Sequence, residues 1–244
     1  MQILLANAKI MFDKAERTPR SFPRFQTIAD ALATEMARMD VEDLAKQLNC
    51  STKIAAENWK RYHNFIAAEK MPAIFAYNGQ AYKHLKANTL SDKALDYAQQ
   101  HLWITCFLYG LLRPMDGIVP YRMEHCVTLE TTHDKPVNQF WKDYLTDLLI
   151  DGVLIQLSTE EYEHLFDWKR VCKEVKVIHP LFYVQQENGK LKMQAVWAKA
   201  CRGAMVRFIL NNQLATPHEL NAFNYEGFEF APNWGDKEFP HFVR

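Results

Sequence analysis

The stretch that decides the fold class is residues 102–112, LWITCFLYGLL. It is apolar and rich in β-branched and aromatic residues, which predicts a central strand over residues 103–108 that ends at Gly110. The run is much shorter than the ~20 apolar residues that a membrane-spanning helix needs. We therefore expect a buried strand within a sheet and no membrane partner.

On both sides of this strand, strand-like and helix-like patterns alternate along the chain. Further strands are predicted at residues 2–6, 72–77, 153–157, 173–179 and 223–230, with a hairpin of 181–186 and 191–197 around a type I′ turn at Asn188-Gly189. Helices are predicted at residues 24–39, 40–48, 51–65, 92–101, 137–150, 158–165 and 198–212, with Asp40, Ser51, Ser91 and Ser158 as N-caps. With no repeat or linker, the pattern predicts a mixed α/β (α+β) fold: one domain over residues 1–244, with a mixed sheet flanked by helices.

Composition excludes several classes of function. The chain has 29 basic and 29 acidic residues, so no net charge draws it towards nucleic acid, although a local basic cleft is compatible with this balance. Its eight glycines are never closer than seven positions apart, which excludes the glycine spacings of dinucleotide-binding and Walker A loops. No GxSxG occurs, so the nucleophile elbow of α/β-hydrolases is excluded as well.

Cysteine and histidine usage gives little sign of a metal site. The five cysteines include no CxxC pair and are expected to be reduced, mostly buried thiols, as in the cytoplasm. No HExxH motif occurs, and among the nine histidines only His125 and His133 lie near an acidic cluster. A two-histidine metal site there is disfavoured, and no metal or cofactor is predicted.

The densest group of candidate functional residues lies in residues 108–124, LYGLLRPMDGIVPYRME. It holds Arg113, Asp116, Tyr121, Arg122 and Glu124. If residues 121–127 form a strand, Arg122 and Glu124 share one face. Two interpretations remain open: a buried ion pair that fixes a loop, or an anion-binding arginine oriented by a carboxylate.

Two further segments carry candidate cations. Apolar residues nearly surround the predicted helix 198–212, so we expect it to be largely buried. Its cations Lys199, Arg202 and Arg207 should then form internal salt bridges or line a cleft. Lys9 follows the first predicted strand, and ligands collect at the carboxyl ends of strands in α/β sheets. Lys9 is therefore a candidate contact for a phosphate or carboxylate.

These segments also carry a resemblance. Residues 76–85, 108–124, 139–141, 157–162, 199–208 and 223–230 make the chain similar, nearly end to end, to the YaaA family of bacterial peroxide-stress proteins, also called DUF328 or UPF0246. The block that joins Arg113-Pro114 to Pro120-Tyr121-Arg122 is long and specific. The family's Ser-Pro-Ala-Lys after the first strand is Ala6-Asn7-Ala8-Lys9 here.

The resemblance implies a cytoplasmic protein of the oxidative stress response that limits damage from iron and peroxide. It also implies binding of double-stranded or branched DNA in a positively charged cleft, with a helix-hairpin-helix element matching residues 40–48, 49–50 and 51–65. No glycine precedes Gly79, so phosphate binding is expected to rest on side-chain cations. The expected DNA-binding residues are Lys9, Arg113, Arg122, Lys199, Arg202, Arg207 and, at a helix start, Ser51.

Two other hypotheses stay open. The first is an enzyme acting on a damaged nucleotide or an anionic small molecule, with candidate catalytic residues Lys9, Asp116, Tyr121 and Glu124. Glu124 or Asp116 would be the acid/base, and Lys9 an amine nucleophile on abasic DNA. The second is direct iron sequestration by ligands that converge only in the fold.

Overall fold

The computed structural model describes residues 1–149 and 152–244. Its strands are β1 (Gln2–Ala6), β2 (Met71–Pro72), β3 (Leu102–Cys106), β4 (Gly110–Leu112), β5 (Gly117–Ile118), β6 (Val153–Leu157), β7 (Lys176–Ile178), β8 (Leu181–Gln185), β9 (Leu191–Lys192), β10 (Asn224–Tyr225), β11 (Phe228–Gly235) and β12 (Pro240–Val243).

The α-helices lie among these strands along the chain. They are α1 (Gln26–Arg38), α2 (Val41–Gln47), α3 (Thr52–His63), α4 (Ala73–Ala76), α5 (Gln80–Leu85), α6 (Asp92–His101), α7 (Val137–Phe140), α8 (Lys142–Leu145), α9 (Glu160–Glu163), α10 (Trp168–Glu174) and α11 (Ala195–Asn212). Short 3-10 helices span Ala87–Thr89, Glu130–Thr132, Thr146–Leu149 and Pro217–Ala222. The predicted mixed α/β class is confirmed.

The central sheet has the strand order β4-β3-β1-β6-β7. Strand β1 pairs in parallel with β3 and β6, β6 pairs in parallel with β7, and only β4 runs antiparallel, at the edge. Ile3, Leu4 and Ile104 are fully buried, as expected for a parallel sheet covered on both faces. The predicted strand over residues 103–108 is confirmed in part, as β3.

The direction in which the chain adds strands to the central sheet reverses between the neighbouring strands β1 and β6. From β1 the chain crosses to β3 on one side, whereas from β6 it crosses to β7 on the other. Such a reversal opens a crevice outside the carboxyl ends of the two strands, which is where α/β proteins bind ligands. The crevice here lies after Ala6 and after Leu157.

A second sheet, of order β10-β11-β12-β8-β9, joins the same core. Phe182, Phe228 and Phe242 are buried between it and the rest of the molecule. Helix α11 packs against β8, α5 and β1, and so links the two sheets. Cys201, Met205 and Ile209 on α11 are fully buried, which confirms that this helix is largely enclosed.

Helices α5 and α11 approach each other unusually closely. A Cβ atom added to Gly203 would lie only 1.8 Å from the carbonyl oxygen of Ala81. No side chain fits at this position, so the glycine is what allows α11 to hold the start of α5 in place.

Two predicted elements are wrong because tertiary contacts override the local pattern. Residues 73–76, within the predicted strand 72–77, form α4, since the N–H groups of Ala73 and Ile74 donate to the carbonyls of Asp116 and Pro114 at 2.9 Å. The predicted helix 137–150 is divided into α7, α8 and a 3-10 helix, where Trp141 turns inward and donates its indole N–H to Phe107 O at 2.7 Å. Its last residue, Ile150, lies outside the described residues.

Two further predictions fail around β6 and β7. Ser158 does not cap a helix: its hydroxyl donates to Gln156 Oε1 at 2.8 Å, and Thr159 is the N-cap of α9. The predicted strand 173–179 begins only at Lys176, because α10, capped by the Asp167 side chain, continues to Glu174.

The type I′ turn is in a different hairpin from the predicted one. In the 186–190 loop, which is fully described, only Gly189 has positive φ (78°), and Gln186 N donates to Lys190 O across three residues rather than two. The predicted strand 223–230 is instead the β10–β11 hairpin. Its two turn residues, Glu226 and Gly227, have φ of 51° and 80°, as a type I′ turn requires.

Helices α2 and α3 form the expected helical hairpin, capped by Asp40 and Ser51 as predicted. Asn49 takes the left-handed conformation (φ 43°) that a glycine would otherwise supply. The N–H groups of Asn49 and Cys50 donate to Lys46 O and Ala45 O, a Schellman motif that ends α2. The backbone N–H groups of Asn49 and Cys50 are therefore already hydrogen-bonded within the helical hairpin.

Candidate anion-binding cleft

A cavity of about 490 Å³ occupies the crevice between the carboxyl ends of β1 and β6. Four segments form its walls: residues 5–10 at the end of β1 and beyond it, residues 79–82 at the start of α5, Leu157 at the end of β6 with residues 159–162, and Lys199 with Arg202 on α11. The parallel sheet supplies two of these walls, and the close packing of α11 on α5 supplies the other two.

Three cationic side chains line this cleft: Lys9, Lys199 and Arg202. Lys199 and Arg202 lie three residues apart on α11, so they project from the same face of the helix. Burial lowers the pKa of Arg202, and its Nε atom is buried with no hydrogen-bond partner. A partly desolvated guanidinium with a free donor is well suited to bind an anion.

Lys9 is held by a carboxylate from a distant loop. Its Nζ lies 2.7 Å from Glu124 Oε2, and Arg122 Nη2 lies 2.8 Å from Glu124 Oε1. The Lys9 side chain is 50% exposed, whereas those of Arg122 and Glu124 are 17% and 7% exposed. Residues 121–124 form no strand, yet the predicted pairing of Arg122 with Glu124 is present.

Hydroxyl groups form a layer beneath the cleft. Asn7 Nδ2 donates to Tyr121 OH at 3.2 Å, Tyr77 and Tyr121 share a 2.8 Å hydrogen bond, and Tyr162 OH donates to Asn7 Oδ1. Burial raises the pKa of Tyr121 well above its usual value. Tyr121 is therefore a neutral hydrogen-bonding group that orients Asn7, and it does not line the cavity itself.

Two other predicted residues lie away from the cleft. Arg113 follows β4 at the end of the sheet where β3 begins, opposite to the cleft. Its guanidinium stacks 3.3 Å from the centre of the Trp103 ring and donates to Gln100 O. Asp116 accepts hydrogen bonds from Ser21 Oγ at 2.6 Å and Arg113 N at 2.7 Å. Burial raises the pKa of Asp116. Both residues fix the loop that follows β4.

Arg207 and Ser51 are likewise engaged elsewhere. Arg207 Nη1 donates to Leu85 O, Lys86 O and Thr89 Oγ1, so it satisfies carbonyls at the end of α5. The Ser51 hydroxyl accepts from Ile54 N and caps α3. Of the cations predicted from the sequence, the structure brings Lys9, Lys199 and Arg202 to the cleft and Arg122 to its edge.

Sequence reasoning missed Asn7, Glu161 and Tyr162 as parts of the site. Each follows the carboxyl end of β1 or β6, the two strands that flank the reversal of winding. The available signal was that Asn7 directly follows one predicted strand and that Glu161 and Tyr162 lie in the short helix after another. The prediction could not use it because the strand order was not known.

None of the five cysteines forms a disulfide, but the expectation that most are buried is wrong. Cys106 and Cys201 are buried, Cys50 is half-buried, and Cys126 and Cys172 are exposed. Within the described residues, the structure has no helix that combines the length and apolar character required to span a bilayer.

Comparison with known proteins identifies the family. A family model described as "Peroxide stress protein YaaA" matches residues 1–234. The chain belongs to the YaaA family. It is 41% identical to a UPF0246 protein of Bacteroides thetaiotaomicron and 42% identical to one of Bacteroides fragilis, each over 97% of this chain and 96% of the relative. A UPF0246 protein of Porphyromonas gingivalis is 39% identical over 97% of both chains. The resemblance to the YaaA family seen in the sequence is confirmed.

Proposed function

We propose that this YaaA-family protein acts in the cytoplasm to limit iron- and peroxide-dependent damage by binding duplex or branched DNA in the cleft. The observation that carries the proposal is the meeting of Lys9, Lys199 and Arg202 at one crevice. Basic side chains that neutralise phosphates release condensed counterions, which favours binding to any sequence. The zero net charge of the chain does not oppose this, because the cleft is lined by three cations against the two carboxylates of Glu160 and Glu161.

The small number of cations sets a limit on the salt dependence. Each phosphate contact contributes about 0.9 to the slope of log affinity against log salt, so three cations give a slope of at most about 2.7. Between ~50 and ~200 mM salt, affinity should then fall by up to about 40-fold. Affinity should differ little between unrelated sequences, since phosphate contacts carry no base information.

Fluorescence anisotropy with a labelled duplex and a labelled four-way junction tests this proposal. Binding with the predicted slope, and weakened by Lys199→Ala but not by Lys190→Ala in the exposed β8–β9 turn, supports it. Undetectable binding of both DNAs at ~50 mM salt and micromolar protein contradicts it.

The volume of the cavity favours a second candidate, an enzyme acting on a damaged nucleotide or an anionic small molecule. Its volume of about 490 Å³ lies within the roughly 300–1,000 Å³ range of small-molecule sites. Glu160 and Glu161 line it, and Glu124 is in contact with Lys9. This arrangement places a carboxylate beside a lysine amine, the groups required for acid/base and nucleophilic catalysis.

On abasic DNA the chemistry would proceed as follows. The Lys9 ammonium gives a proton to Glu124, and the free amine attacks the sugar aldehyde carbon to form a carbinolamine. Loss of water then gives an imine, which borohydride reduces to a stable secondary amine. A trapped adduct that Lys9→Arg abolishes and Lys199→Arg retains supports the enzyme. Duplex binding with no adduct supports the first proposal alone.

A further inference from the structure

Three potential metal ligands meet at the rim of the cleft. One ligand atom from each of Glu124, His125 and Glu161 lies within 4.8 Å of the others, and His125 Nδ1 is 3.2 Å from Glu161 Oε1. Glu124 and His125 are adjacent in the loop after Arg122, whereas Glu161 is the second residue of α9. Two separate elements therefore bring an imidazole and two carboxylates to one point.

We propose that Glu124, His125 and Glu161 bind a divalent first-row transition metal, and that Lys9 competes with the metal for Glu124. Protein ligands bind such ions at about 2.0–2.2 Å, so neighbouring ligand atoms are about 3.0–3.4 Å apart. The His125–Glu161 distance already falls in this range. The three ligand atoms already lie within 4.8 Å of each other, so coordination needs only a small closing movement of Glu124, which would break its Lys9 contact.

The state of the Glu124 carboxylate supports the inference independently. Glu124 is 5% exposed, and its Oε1 atom forms an ion pair with Arg122 Nη2 at 2.8 Å but accepts no aligned hydrogen bond. Buried carboxylate oxygens normally accept hydrogen bonds or coordinate a cation. Its Oε2 already holds the Lys9 ammonium, a cation on a flexible and half-exposed side chain.

The donor set determines the class of metal. One imidazole nitrogen with two carboxylate oxygens suits zinc, manganese, cobalt or ferrous ions better than magnesium or calcium, which prefer oxygen ligands alone. The group includes His125 and not His133, so it differs from the two-histidine site considered from the sequence. Occupation of the site would release Lys9 from Glu124 into the cleft.

Titration of the purified protein with Co²⁺, followed by the visible absorption of the bound ion, tests this inference. We expect one saturable site. Because loss of an outer partner of a metal ligand already costs 10–100-fold in affinity, His125→Ala and Glu161→Gln should each weaken binding at least about tenfold. Both residues are partly exposed (48% and 38%), so these variants should fold, which circular dichroism checks.

Two variants provide the controls. His133→Asn removes an imidazole outside the group while keeping a residue that tolerates the left-handed backbone there (φ 53°), and it should leave Co²⁺ affinity unchanged. Lys9→Ala removes the competing ammonium and should tighten binding. The absence of a saturable site, or the same affinity in His125→Ala and Glu161→Gln as in the wild type, overturns the metal site. Unchanged affinity in Lys9→Ala overturns the competition. Neither result depends on DNA binding, so the two proposals fail separately.

Discussion

Lys9 Nζ lies 2.7 Å from Glu124 Oε2, across 115 residues of sequence. The contact ties the segment after β1 to the loop that carries Arg122 and holds a half-exposed ammonium at the mouth of the cleft. Glu124 is thus the shared partner of two cations. Phosphate binding by Lys9, nucleophilic attack by the Lys9 amine and metal binding by Glu124 would each require the Lys9–Glu124 ion pair to break.

Substitution Glu124→Gln should destabilise the fold. The amide preserves shape but removes the charge that pairs with Arg122, whose side chain is only 17% exposed. Breaking a partly buried pair by removing one partner should lower the free energy of unfolding by about 2–4 kcal/mol. Urea denaturation measures this change. Glu174→Gln, which disrupts an exposed pair with Arg170, should cost less than about 1 kcal/mol; equal losses in the two variants would contradict the account.

Substitution Gly203→Ala should reverse the usual effect of replacing a helical glycine. Alanine normally stabilises a helix interior by about 0.5–1 kcal/mol relative to glycine. Here the added Cβ would meet Ala81 O at 1.8 Å, so α11 and α5 must separate at a cost of about 3 kcal/mol, which exceeds that gain. Thermal or urea denaturation checks the sign. Asn211→Ala, on the exposed side of α11, should change stability by less than about 0.7 kcal/mol. A stabilised Gly203→Ala variant would show that the helices are not in contact as described.

Stability should fall in acid partly because of His179. Burial, together with the nearby Arg202 charge, lowers its pKa from 6.5 to about 4. Below about pH 6.5 His179 binds a proton in the unfolded chain but stays neutral in the folded state. The free energy of unfolding therefore decreases as the pH falls to about 4, by about 3 kcal/mol in total. Burial lowers the pKa of His84 and His241 as well, and both act in the same direction.

His179→Gln isolates this contribution. Urea denaturation across pH 4 to 7 should show a shallower loss of stability than in the wild type, with a residual slope from the remaining groups. The exposed His164→Gln variant serves as the control and should follow the wild-type profile. If His179→Gln follows it too, His179 is not held neutral by its surroundings.

Local sequence patterns predicted the elements whose determinants are local. The apolar run of β1 and the caps Asp40, Ser51 and Ser91 lie where the sequence indicates, because a strand pattern or a side-chain cap involves only neighbouring residues. The two hairpin turns show the limit of this approach. Turn type follows from how many residues separate the last paired positions, and that register is set by the whole sheet.

The candidate site was less predictable because its contacts are distant in sequence. The sequence indicated which arginines are candidates for the site, but it did not indicate their partners. Arg207 donates to carbonyls at the end of another helix, and Arg113 stacks on Trp103. Asn7 and Tyr162 meet across 155 residues, and nothing in either segment alone indicates the other. Residue type therefore identified the cations, whereas the strand order and the packing of α11 on α5 selected those that face the cleft.

The most direct test of the central claim compares two double variants in binding to a labelled duplex over a range of salt. Lys9→Ala with Lys199→Ala removes two cleft cations, whereas Lys190→Ala with Lys237→Ala removes two exposed lysines elsewhere. The account predicts weaker binding for the cleft variant, with a salt slope reduced by about 1.8, and an unchanged slope for the control. Equal slopes and equal affinities in the two variants would contradict binding of DNA in this cleft.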